Sequence, residues 1–186
     1  FGSIRMADMA GDTATLRVDN GTVTVGGGVV SGAGASTLEL REGTMTVADG
    51  LSVGTLTVGK MDKTGGTATL TVDGGAVSIG SGSQNVMIGR RDIAMNGNPP
   101  TYSFLGTADF ANASGVTINA NQILLGTFGG NLTNEGTVQG SLILSAAGTN
   151  NIVANSILLG DSSDRANQVL SSIQIGRAHV CTPVTR

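Results

Sequence analysis

The sequence predicts an all-β chain wound as a parallel β-helix (β-solenoid), on three observations. Apolar and polar residues alternate with period two over most of the chain, the signature of strands with one buried face. Glycine, 30 of 186 residues, punctuates the ends of those runs, where a sharp bend needs a positive φ. The runs also repeat, as expected when equivalent strands stack on one another. Aromatics are 3% with no Trp, which excludes a core built on large rings. Val, Ile, Leu and Thr carry the load, and these types fit a pleated, half-buried surface.

Three segments align in chain order. They are TATLRVDNGTVTVGGG from Thr13, ASTLELREGTMTVADG from Ala35 and TATLTVDGGAVSIGSG from Thr67. Their apolar positions coincide as Leu16, Val18, Val23 and Val25, then Leu38, Leu40, Met45 and Val47, then Leu70, Val72, Val77 and Ile79. Shorter units, LSVG (51–54), LTVG (56–59) and VMIG (86–89), end in an apolar residue and glycine. Farther on, INANQILLG (118–126) recurs as IVANSILLG (152–160) with seven of nine positions identical. Between these arrays lies NGNPPTYSFLGTADF (96–110), whose Asn-Gly and Pro-Pro pairs break the pattern. The expected organisation is therefore a first array over 1–95, a loop or junction over 96–110, and a second array over 111–175. Seven or eight coils would fit that length at about 4.8 Å per coil.

An antiparallel β-sandwich of hairpins is the alternative. Asn20-Gly21 and Gly74-Gly75 are hairpin-type turns, which would set Val18 opposite Val23. Stacking of equivalent repeats, and the many units with no hairpin partner nearby, favour the solenoid. The 22-residue step from Leu16 to Leu38 suits one coil.

Net charge is −3, with only Lys60 and Lys63 as lysines and no basic stripe. Nucleic acid is not an expected partner, and no apolar run predicts membrane insertion. Phe1-Gly2-Ser3-Ile4-Arg5 starts mid-pattern without an initiator Met or a signal peptide, so a fragment of a longer chain is expected, with flanking coils as natural neighbours.

The only His and the only Cys, His179 and Cys181, sit together at the end of the chain. They lack the further ligands or base that metal or thiolate chemistry requires. Read back into codons, Ile175–Arg186 resembles translated sequencing-adapter DNA: ATC GGA AGA GCA CAC GTC, one codon, then ACT CCA GTC AC. Cys181 stands where the adapter carries a stop. Residues 176–186 are thus expected to be an artefact and are excluded from the fold. Without Arg177 and Arg186, 13 acidic and 8 basic residues leave a charge of −5.

Of the carboxylates, Asp19 and Asp73 share one repeat position and Asp49 lies near another bend. Paired carboxylates can do acid–base work, but Asp before Gly fits turn chemistry better. Arg90-Arg91-Asp92 is the densest charge cluster and reads as a solvated loop. Neither Gly26-Gly27-Gly28 nor Asp161–Asp164 reproduces a calcium β-roll motif. The Thr-x-Thr pairs Thr13/Thr15, Thr22/Thr24, Thr44/Thr46 and Thr67/Thr69 form the kind of ladder that can order water and bind ice. The alignment ends that ladder at Ala76/Ser78, and β propensity accounts for threonine without ice. No catalytic residue, cofactor or metal is therefore expected.

The rhythm GTATLTVDGGAVSIG, with LSVG, LTVG and ILLG units, resembles bacterial autotransporter-associated β-strand repeats and related PEP-CTERM-type extracellular repeat proteins, over roughly 10–160. The resemblance implies a right-handed parallel β-helix, secreted or displayed on the bacterial cell surface. It implies a structural, spacer or adhesive role without catalysis, and partners such as surface carbohydrate or a host or matrix surface. A carbohydrate-active β-helix (a polysaccharide lyase or hydrolase) is the alternative, and an ice-binding solenoid a lesser one. The lyase reading requires clustered Asp and basic residues on successive coils, a pattern not visible in the sequence.

Overall fold

A computed structural model describes residues 1–61, 66–91, 102–128, 136–161 and 169–175. Every described element is a strand, and every strand pairing is parallel. The hairpin sandwich is thereby excluded. Successive strands form six coils around one core. The first coil holds β1 (Ile4–Met6), β2 (Thr13–Val18) and β3 (Thr22–Val25), and the second holds β4 (Val29–Ser31), β5 (Ala35–Leu40) and β6 (Gly43–Val47). The third holds β7 (Leu51–Val53), β8 (Thr55–Met61) and β9 (Gly66–Val72), and the fourth β10 (Ala76–Ile79), β11 (Val86–Arg91) and β12 (Tyr102–Asp109). In the fifth, β13 (Gly115–Phe128) covers two sides in one strand before β14 (Gly136–Leu144). The sixth repeats that plan with β15 (Thr149–Asp161) and β16 (Val169–Ile175).

The coils thus have three faces. Face 1 stacks β1, β4, β7 and β10 onto the first half of β13, and face 2 stacks β2, β5, β8 and β11 onto its second half. Face 3 runs β3, β6, β9, β12, β14, β16. Apolar residues on alternate positions point inward and stack in register. On face 2, Leu16, Leu38 and Leu56 form one ladder. On face 3, Met45, Leu70, Ala108 and Leu142 form another, all fully buried. One coil cannot bury its apolar side alone, so each is stabilised by its neighbours.

Several expectations change. Six coils are described rather than seven or eight, because later coils need 34 to 39 residues where the second needs about 22 (Val77 pairs with Val116, Val116 with Asn150, Thr13 with Ala35). The two arrays are one stack, since β13 sits directly on both β10 and β11. The expected loop over 96–110 lies outside the described residues as far as 101, and beyond that Tyr102–Asp109 is strand β12, paired on both sides. Arg90 and Arg91 likewise continue β11, in register with Lys60 and Met61, instead of forming a solvated loop.

The third aligned segment is displaced by one face. Leu16 and Leu38 stack on face 2 as expected, but Leu70 stacks on Met45, on face 3. Val77 stacks on Leu51, on face 1. The strand–bend–strand unit is a corner, and the chain uses it at more than one corner of the triangle. By contrast, the ILLG repeats stack directly, Ile123 on Ile157 and Leu125 on Leu159.

Faces 2 and 3 converge on a ladder of glycines. Gly59, Gly89, Gly126 and Gly160 stack in register, with φ of 75°, 63°, 58° and 69°. Across the interior lie Gly106 and Gly140, so the two sheets meet backbone to backbone. One residue past this waist, Thr127 is buried and its hydroxyl has no hydrogen-bond partner. An unsatisfied buried hydroxyl costs about 1–3 kcal/mol. Thr127→Val keeps the β-branched shape, so we expect a gain of about 1 kcal/mol, read as a melting temperature higher by about 2–4 °C.

Candidate functional face

Ionisable clusters are the first place to look for chemistry, and they do not assemble. Asp19 lies at the face 2–face 3 corner of the first coil, whereas Asp73 lies at the face 3–face 1 corner of the third. The shared repeat position therefore does not bring them together. The Nε of Arg17 donates to Asp19 at 2.6 Å, and Arg41 lies 3.7 Å from the same carboxylate and 3.0 Å from Glu39. Asp73 accepts from the Asn112 amide at 3.3 Å. Asp49 is exposed at the face 3–face 1 bend of the second coil. For Asp19 and Asp73 these are contacts to neighbouring side chains, not the side-chain-to-backbone bonds that turn chemistry predicts. Among the described residues no group of three His, Cys, Asp or Glu could hold a metal ion. His179, Cys181, Asp92 and Ser162–Asp164 lie outside the described residues.

The face 1–face 2 corner varies in length, and that variation shapes the surface. It takes residues 32–34 in the second coil, Gly54 alone in the third and residues 80–85 in the fourth. The short third corner leaves a recess of about 360 Å³ lined by Ser36, Gly54, Thr55, Ser81, Ser83 and Gln84, among others. Its lining is uncharged, and the Ser36 hydroxyl is already engaged by the Gly54 N–H at 2.8 Å. It can offer hydrogen bonds but no acid, base or nucleophile activated by a neighbour. Beyond the recess, the same corner is held by an amide ladder. Asn121 donates to Asn85 at 3.2 Å, and Asn155 donates to Asn121 at 3.0 Å. This ladder explains the Asn shared by the two ILLG repeats.

Face 3 carries the most regular outward array. Its outward column reads Thr22, Thr44, Thr69, Thr107, Ser141 and Ser172, one hydroxyl per coil through all six. A second column reads Thr24, Thr46 and Thr71 before changing to Asp109, Ile143 and Gln174. The expected break at Ala76/Ser78 does not occur here, because those residues belong to face 1. The signal for this register was present as TVTV (22–25), TMTV (44–47) and TLTV (69–72), a four-residue repeat that the longer alignment overrode. Thr13/Thr15 belong to face 2, where Thr15, Thr37 and Thr55 form a separate column.

No helix among the described residues is long and apolar enough to cross a membrane. No protein-family model, no curated protein and no solved structure matches this chain.

Proposed function

We propose that this chain is a structural or adhesive stretch of a secreted or surface-displayed bacterial repeat protein, and that it performs no catalysis. The supporting observation is the continuous in-register stack of six coils, which converts the sequence into a short rod with three repetitive faces. At about 4.8 Å per coil, the first and sixth coils stand about 24 Å apart. Every further coil would lengthen such a rod without changing its cross-section, which suits a spacer. Adhesion would then fall to the corner recess, whose hydroxyls and amides suit neutral saccharides on a surface or matrix. Flanking coils of the same longer chain are the natural partners of the two end coils.

Incubation of the purified chain with uronate-containing and neutral polysaccharides tests this reading. The expected result is no release of new reducing ends, with any interaction appearing as retention on the immobilised polymer. Release of reducing ends that scales with protein concentration would establish the carbohydrate-active alternative instead.

A further inference from the structure

We infer that face 3 is an ice-binding surface, its ligand being the ordered water of an ice crystal plane. The first three coils present Thr22/Thr24, Thr44/Thr46 and Thr69/Thr71 as a two-by-three array, in register on parallel strands. Rungs in such a sheet are about 4.8 Å apart, and alternate residues along a strand about 6.7 Å apart. The rung repeat lies close to the shorter oxygen repeat of the prism planes of hexagonal ice, and the repeat along the strand falls about a tenth short of the longer one. β-Branching also restricts each threonine at χ1, so little side-chain freedom is lost on binding.

The chemistry of the array selects against other occupants. None of its six hydroxyls makes a hydrogen bond to the protein among the described residues, so each is available to water. Ser141 and Ser172, farther along the column, instead face each other at 3.3 Å, which confines the regular lattice to the earlier coils. The array itself, Thr22/Thr24, Thr44/Thr46 and Thr69/Thr71, carries no charge, while Glu42, beside Thr67 at one end of the strands, and Asp73, just past β9 at the other, flank it. The uncharged array between these two carboxylates complements a neutral partner. It has no outward aromatic ring there for sugars to stack on, which disfavours a crystalline polysaccharide. What remains is a regular lattice of methyl and hydroxyl groups, suited to anchoring ordered water. This inference is independent of the spacer role, which rests on the stacked core.

Thermal hysteresis and inhibition of ice recrystallisation by the full chain test it. The wild-type chain is expected to inhibit recrystallisation and to open a measurable hysteresis gap. The double variant Thr44→Lys/Thr46→Lys, at the centre of the array, is expected to lose both, while Thr37→Lys on face 2 retains them. Circular dichroism confirms that each variant is folded; should the double variant not fold, Thr71→Lys on the next coil is read the same way. Absence of both effects in the wild-type chain at high concentration would overturn the inference. So would equal loss in Thr37→Lys, or full retention in the face 3 variants.

Discussion

Gly89→Ala is expected to lower stability by at least about 4 kcal/mol, placing it among the exceptional single substitutions. Two costs coincide at this position. The backbone sits at φ 63°, a left-handed conformation that costs a residue with a Cβ about 1–2 kcal/mol. The new methyl would also stand 2.0 Å from the carbonyl oxygen of Gln139 and 2.9 Å from the N–H nitrogen of Gly140. Both are backbone atoms of β14, so no side chain can swing aside to relieve the contact. The sheets must part, and the fourth and fifth coils lose packing with them. Gly82→Ala separates the two costs. It lies in the same coil at φ 84°, but its methyl would meet only the Asn119 side-chain amide, at 3.3 Å. Its loss should stay near about 1–2 kcal/mol. Urea unfolding followed by circular dichroism measures both. Comparable losses in the two variants would show that the waist is less tightly closed than the glycine ladder indicates.

The same glycines mark what the sequence could and could not disclose. Their place after an apolar residue is visible in LTVG, VMIG and ILLG, and those units do stack. Period-two alternation was enough to identify strands, and the 22-residue and 34-residue offsets were enough to identify two true stacking registers. The remaining registers depend on corner length, and corner length leaves no periodic trace. A single residue, Gly54, turns one corner where 80–85 turns the next. A best local alignment therefore slid TATLTV by one face, which concealed the threonine array. Gly106 and Gly140 were equally hidden, because a glycine that admits an opposing backbone looks no different in sequence from one that bends a corner. Asp19 and Asp73 illustrate the same limit for chemistry, since an equivalent place in a repeat is not proximity in space.

Leu70→Ala is expected to cost about 3–4 kcal/mol, within the usual range for emptying a leucine site in a core. Leu70 is fully buried and lies between Met45 and Ala108 in its ladder. Ala108 is too small to fill the space, so the cavity stays open. Ile173 occupies the equivalent position in the sixth coil, is only partly buried, and has Leu142 as its one ladder neighbour among the described residues. Ile173→Ala should cost about half as much, because less apolar surface returns to water and one coil interface is weakened instead of two. In a quasi-one-dimensional stack the position of the damage matters as much as its size. Hydrogen exchange should therefore show Leu70→Ala loosening amides in the second to fourth coils, while Ile173→Ala loosens the sixth coil alone. Uniform loosening of the whole chain by both variants would mean that the rod unfolds as one cooperative unit. In that case the description of coils stabilised only by their immediate neighbours would fail.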